Sequence, residues 1–257
     1  MTLTFRRGWR ARAGATLPPM PARRAASLAC LALAAGLPAA AAAAPRELQA
    51  PTPSRAFTAR VLATVAARAE PTAGGRQVAV LRPDAPLGGG PTVLLVTGVR
   101  RAGPEEWVRV RIPERPNGLQ GWVRADAVRF NQTRLRIVID QSSLRLTLYR
   151  ADRLVLSVPV AIGTPGTPTP DGRFAIAEMI RTWAPGAFLG PVVFPLTGYS
   201  DTLNEYAGGD GRVAIHGTSL PDLIGTRASH GCIRVENRWI VRLSRIVRPG
   251  TPVEIRE

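Results

Sequence analysis

Three side chains in this 257-residue sequence could pass a proton between them: His216, His230 and Cys232. They are the only two histidines of the chain and one of its two cysteines, and they fall within 17 consecutive residues. The second cysteine, Cys30, lies in an N-terminal segment read below as a leader. A lone thiol set beside imidazoles points to a nucleophile rather than half of a disulfide. With an ordinary pKa near ~8.5 the thiol is mostly protonated at neutral pH, so an imidazole that accepts its proton is what generates the attacking thiolate. If residues 230–232 are extended, His230 and Cys232 point to one side. Gly231 between them leaves the backbone open, so amides near Gly231 and Cys232 can face a developing oxyanion. Arg234, two residues on, is suited to gripping a carboxylate in bidentate fashion. Three competing readings start from the same residues. One is plain structural burial of His and Cys. Another is a zinc site with Asp222 as fourth ligand, although the spacing follows no zinc pattern. The third is serine chemistry at Ser229, for which no acid is visibly placed to orient a histidine. The sequence therefore implies neither a metal nor a cofactor.

These groups need elements to carry them. Arg212 to Ile215 reads as a short strand that delivers His216 at its end, so His216 reaches Cys232 from a separate strand. After the cysteine, Asn237 can cap a helix, with Trp239, Ile240, Leu243, Ile246 and Val247 at helical spacing and Pro249-Gly250 as its stop. Thr251 to Ile255 closes the region as a strand. Upstream, Leu135, Ile137 and Ile139 alternate with Arg134, Arg136 and Asp140, and Leu144, Leu146 and Leu148 alternate in the same way with Arg145, Thr147 and Arg150 nearby. With the run Leu154 to Ile162 these predict an antiparallel meander. Gly163 to Gly172 cannot be regular structure, because Pro165, Pro168 and Pro170 remove donors and fix φ. Phe174 to Ile180 reads as a fourth strand. Residues 181–211, with Trp183, Phe188, Tyr199 and Tyr206 among Gly and Pro, are left open between a lid and a long loop.

From Phe57 to Phe130 short apolar runs alternate with turn residues. Val78 to Leu81, Thr92 to Thr97 and Trp107 to Ile112 read as strands, with turns at Gly88-Gly89-Gly90 and Pro116-Asn117-Gly118. The closing Gly121-Trp122-Val123 resembles the end of a bacterial SH3-like domain, which would be a small β-barrel. Such modules often bind wall polymers or peptides, and this one is as readily a packing partner for the region that follows.

Residues 1–44 carry six arginines and no acid, then the apolar run Leu28 to Leu37 and the alanine tract Ala39 to Ala44. That order predicts a secretory signal peptide, with a retained anchor as the alternative. Pro45 to about residue 55 reads as an extended linker. Without the leader's arginines the formal charge falls from +16 to +10, which favours polyanions. No nucleic-acid motif accompanies it, and an exported protein meets the anionic polymers of the cell envelope first. All 34 basic residues are arginine, which excludes Ser–Lys, Schiff-base and phosphate-loop lysine chemistry.

Ile215-His216-Gly217-Thr218 followed by Ser229-His230-Gly231-Cys232-Ile233-Arg234 and Asn237 resembles the signature of L,D-transpeptidases with a YkuD-type catalytic domain. The resemblance covers about residues 133–257, including Thr169-Pro170-Asp171-Gly172 and Gly250-Thr251-Pro252-Val253, and places a catalytic domain at 131–257 after the SH3-like domain at 56–130. It implies a mainly β, sandwich-like fold with one or two short helices. It also implies that Cys232 is the nucleophile and His216 its base, held in one tautomer by the Gly217 carbonyl. Amides around Gly231 and Cys232 would form the oxyanion hole, supported by His230 and Ser229, and Arg234 and Asn237 would bind substrate or brace the loop. The implied reaction is 3→3 crosslinking of peptidoglycan stem tetrapeptides through a thioester, in the periplasm or at the cell wall, with acylation by carbapenems. Hydrolysis of the same thioester would make an L,D-carboxypeptidase, and loss of chemistry a wall-binding protein.

Overall fold

Alternating apolar residues do set the strands, and the register of those strands sets which ends meet at the site. The computed structural model describes residues 49–182, 186–205 and 209–257. The leader with Cys30 lies outside the described residues, as do Trp183 and Tyr206.

Seven strands come first: β1 (Ala56–Val61), β2 (Val65–Arg68), β3 (Gln77–Leu81), β4 (Val93–Ala102), β5 (Glu105–Arg111), β6 (Gln120–Arg124) and β7 (Val128–Thr133). They form one antiparallel sheet in the order β3-β2-β6-β5-β4-β1-β7 around a core that includes Val96, Val108, Val110, Ile112 and Val123. Its end strands β3 and β7 do not pair with each other, so the barrel expected from Gly121-Trp122-Val123 is not closed here. The strand readings at Val78, Thr92 and Trp107 hold within a few residues, while β1 and β2 are added by the structure.

The second core is larger and belongs to residues 135–256. Strands β8 (Leu135–Asp140), β9 (Arg145–Arg150) and β10 (Arg153–Pro159) form the expected antiparallel meander. β18 (Pro252–Arg256) then pairs parallel to β8 and antiparallel to β12 (Gly172–Ala175), completing a five-stranded sheet. A four-stranded sheet holds β13 (Ile180–Arg181), β14 (Val192–Tyr199), β15 (Arg212–His216) and β17 (Ile233–Arg234). Ile137, Leu146 and Ile255 of the first sheet share one core with Phe194, Ile215 and Ile233 of the second, and with Ile240, Leu243 and Val247. Fully burying such a side chain contributes about 1.5–3 kcal/mol. The floor beneath His216 is therefore part of the larger core. The fold is mainly β with a single α-helix among the described residues, α1 (Asn237–Ile246).

Three expectations need correction. The run Leu154 to Ile162 is not one strand: β10 ends at Pro159, and β11 (Ile162–Gly163) pairs instead with β16 (Arg227–Ser229). Phe174 to Ile180 likewise splits, because the chain there crosses from the five-stranded sheet to the four-stranded one. Residues 192–199, left open as lid or loop, are the long strand β14, buried along its whole length. Burial on both faces removes the alternation that marks a strand in sequence, and Pro195 and Gly198 inside it read as breakers.

Candidate active site

β15 and β17 lie side by side and parallel, with Ile215 opposite Ile233 and His216 opposite Arg234. Side chains two apart share a face of a strand, so Ala214 and His216 face the same way as Cys232 and Arg234. All four line a cavity of about 350 Å³, together with Ser229, His230, Phe188 and Leu189. Here the chemistry-bearing residues picked out in sequence converge, and the imidazole does arrive from a separate strand.

The His216 ring is buried, and its Nδ1–H donates to the Gly217 carbonyl at 2.5 Å. That bond leaves Nε2 as the nitrogen able to accept a proton. Burial lowers the imidazole pKa from 6.5 to about 4, helped by the nearby Arg234 guanidinium, and outweighs the carbonyls of Gly217 and Leu189 that favour the cation. The resting ring is neutral. Cys232 keeps partial solvent exposure at the cavity wall. Burial of its sulfur raises the thiol pKa above 9.0, against the pull of the Ala214 amide and Arg234 toward the thiolate. Thiol and imidazole are both uncharged at rest.

Gly217 is required by space. A Cβ there would collide with Asn237 Oδ1 and with Gly190 and Pro191. Asn237 Oδ1 accepts the Thr218 N–H at 2.9 Å, so the first residue of α1 fixes the segment whose carbonyl holds His216. Asn237 is not the helix cap foreseen in sequence. Glu236 occupies that position, because the Asn237 carboxamide is turned to Thr218. It braces the His216 turn and does not line the cavity.

Gly231 sits at φ +108°, a conformation that strongly favours glycine. Through this kink, and not through strand alternation, the exposed His230 and Cys232 come to face one cavity. The Gly231 N–H donates to Ser229 Oγ at 3.1 Å, and the Ser229 hydroxyl donates to the Cys232 carbonyl at 2.6 Å. The Gly231 amide is thus already engaged and is not a resting oxyanion donor. Ser229, 1% exposed, is a tie across the Cys232 turn. Thr169, quoted in the sequence motif but given no role there, is a second tie: its hydroxyl donates to the Gly231 carbonyl and accepts the Gly163 N–H, both at 2.9 Å. The Pro-rich loop 163–172 therefore backs the Cys232 turn.

Arg234 is buried, with its main chain paired to Ala161 in both directions. Its guanidinium stacks 5.0 Å from the Phe188 ring, and its Nε has no hydrogen-bond partner. No carboxylate pairs with it among the described residues. Phe188 also lies 6.4 Å from the His216 ring, so this aromatic belongs to the site. Its segment gave no periodic signal in sequence. Asp222 is exposed in a short 3₁₀ turn (Pro221–Leu223) and does not line the cavity.

Residues 134–255 match the YkuD family, described as the L,D-transpeptidase catalytic domain. That match spans just under half of the chain. Over 120 residues the chain is 38% identical to the Bacillus licheniformis protein named as L,D-transpeptidase YkuD, covering 47% of this chain and 64% of that one. It is 35% identical over 133 residues to the Escherichia coli protein named as L,D-transpeptidase YbiS, covering 46% and 43%. The chain thus spans less than two thirds of either curated relative. A crystal structure of an Enterococcus faecium L,D-transpeptidase C442S mutant overlays with a TM-score of 0.36 at 25% identity, covering 48% of this chain and 49% of that one. That score is too low to carry any part of the assignment. These matches fall on the catalytic domain, and the seven-stranded sheet before it takes no family from them.

Proposed function

We propose that the protein is a cysteine-dependent L,D-transpeptidase that forms 3→3 crosslinks between peptidoglycan stem peptides in the cell envelope. The observation that supports this most is a neutral His216, held by the Gly217 carbonyl, on the strand beside Cys232 and facing the same cavity.

In this reading His216 Nε2 takes the thiol proton as the sulfur attacks the carbonyl joining the third stem residue to the terminal D-Ala. Because the resting pair is uncharged, the proton moves as the C–S bond forms. The oxyanion then meets the Cys232 N–H, since the Gly231 amide is held by Ser229. The imidazolium returns its proton to the departing D-Ala amine, leaving a thioester on Cys232. The side-chain amine of a second stem attacks the thioester and loses a proton to His216. Collapse expels the sulfur, which regains that proton. Arg234, buried without a carboxylate partner among the described residues, grips a carboxylate of the substrate. The same sulfur opens the β-lactam ring of a carbapenem. Export through the predicted signal peptide would put the enzyme where that polymer lies.

The test is intact-mass analysis of the purified protein with a carbapenem, and separately with disaccharide-tetrapeptide. The expected results are a covalent adduct absent in Cys232→Ala, and a dimer lacking one D-Ala. Adduct formation with D-Ala release but no dimer would replace transfer by hydrolysis. Neither adduct nor release would overturn the enzymatic reading.

A further inference from the structure

The cavity is not built by the catalytic domain alone. Leu87, in the loop between β3 and β4, lines it beside Ile180 and Phe188. This leucine is 56% exposed, so its place is not explained by a core. Its loop is anchored across the junction. The Leu87 N–H donates to the Glu178 carboxylate at 3.1–3.2 Å and the Gly88 N–H at 2.6 Å, and Glu178 is 4% exposed.

A second loop of the same sheet, between β5 and β6, reaches a different wall of the cavity. That wall includes Ser200, Leu203, Asp210 and Arg212. Arg115 donates to the carbonyls of Ser200, Leu203 and Asp210 at 2.9–3.3 Å, and its guanidinium stacks 4.8 Å from the Tyr199 ring. Asn117 donates to the Tyr199 carbonyl at 2.8 Å and accepts the Tyr199 N–H at 2.8 Å, replacing a strand neighbour for that residue. Pro113 O accepts from the Tyr199 hydroxyl at 2.7 Å and from Arg212 at 2.9 Å. Asn117 also donates to Asp201 Oδ1 at 3.0 Å, and five of these eight bonds end on main-chain atoms of the Tyr199–Arg212 segment. Such bonds fix where a backbone lies, whatever its side chains are.

We infer that two loops of the seven-stranded sheet complete and brace the substrate cavity, with Leu87 contacting substrate and Arg115 and Asn117 acting as positioning residues for the Ser200–Leu203 and Asp210–Arg212 wall. The inference rests on the transpeptidase reading for its substrate, and on geometry alone for the wall. The sheet governs how substrate is held and not how the thiol reacts. Arg212 is four residues from His216 along β15, about 13 Å away. The turns carrying His216 and Cys232 are tied by Asn237, Ser229 and Thr169, none of which the sheet touches through Arg115 or Asn117.

The experiment uses the full-length protein with Asn117→Ala, Arg115→Gln and Leu87→Ala. With disaccharide-tetrapeptide as substrate, Asn117→Ala removes three hydrogen bonds and should raise KM about tenfold with kcat within about twofold, the pattern of lost substrate binding. Leu87→Ala, at an exposed position that tolerates truncation, should raise KM about threefold. A merely structural role would lower kcat and KM-independent acylation together with thermal stability. Independently of any turnover, each variant is reacted with iodoacetamide and with a bulky aryl maleimide, and labelling is read on the Cys232 peptide by mass. The bulky reagent should gain several-fold over the small one in Asn117→Ala as the wall loosens. An unchanged KM, or equal changes with both reagents, would overturn the inference. A wild-type protein that makes no dimer yet shows the size-dependent labelling would sink the transpeptidase reading and leave the shared cavity standing.

Discussion

Lowering the pH from 7.5 to 5 tests the charge state of the buried imidazole through stability alone. His216 titrates near 6.5 when unfolded and at about 4 in the fold, where burial disfavours the cation. The folded protein therefore binds fewer protons than the unfolded chain over that range. Its stabilising contribution is full above pH 6.5, declines as the pH falls, and is gone once the pH passes below about 4. At about 1.4 kcal/mol per pH unit, the whole effect is worth roughly 3 kcal/mol, of which about 2 is lost by pH 5. Denaturant unfolding of wild type and His216→Asn across this range isolates it, because carboxylates that titrate in both proteins cancel in the difference. Wild type should lose about 2 kcal/mol more than the variant between pH 7.5 and 5. Parallel curves would mean the ring is not desolvated. A wild type that gains stability relative to the variant on acidification would mean a ring that takes up a proton more readily in the fold than in the unfolded chain, and the neutral base of the proton-transfer sequence above would be wrong.

Other perturbations probe the ties around the nucleophile. Ser229→Ala frees the Gly231 N–H and the Cys232 carbonyl in a buried turn, and should cost about 1–3 kcal/mol in unfolding experiments while slowing carbapenem acylation. Thr169→Val keeps the shape but unpairs the Gly231 carbonyl and the Gly163 N–H, with a similar loss of about 1–3 kcal/mol readable as a lower Tm. Gly217→Ala drives a methyl into Asn237 and Gly190, and should abolish most acylation while leaving the β8–β10 meander folded by circular dichroism. Because burial raises the pKa of the Cys232 thiol, iodoacetamide labelling should keep accelerating past pH 9 and not level off there.

The parts of this structure visible in sequence share a physical cause. Where one face of a strand is buried and the other is more open, as at Leu146 and Leu148 in Arg145–Arg150, the apolar period is written into the residues. The helix stripe at Ile240 and Leu243 is legible for the same reason. The chemical core was legible from rarity: two histidines and one nearby thiol leave few other roles. β14 escaped because burial on both faces erases alternation. Gly231 was read as an open amide, yet its N–H is taken by Ser229, a contact that depends on a kink no spacing encodes. Asn237 fits a cap by residue type, and only the packing of Gly190 and Gly217 turns its side chain elsewhere. Leu87, Arg115 and Asn117 were invisible as site residues because their link to the cavity spans some 80 to 90 positions of chain.

Rapid-quench mass spectrometry of the protein mixed with disaccharide-tetrapeptide tests the central claim most directly. Wild type should carry the tetrapeptide fragment, less D-Ala, on the Cys232 peptide within the first turnover, and His216→Asn should accumulate it at least a hundredfold more slowly, as expected for a lost general base. A covalent fragment on any other residue, or one that forms on Cys232 at the wild-type rate without the imidazole, would contradict it.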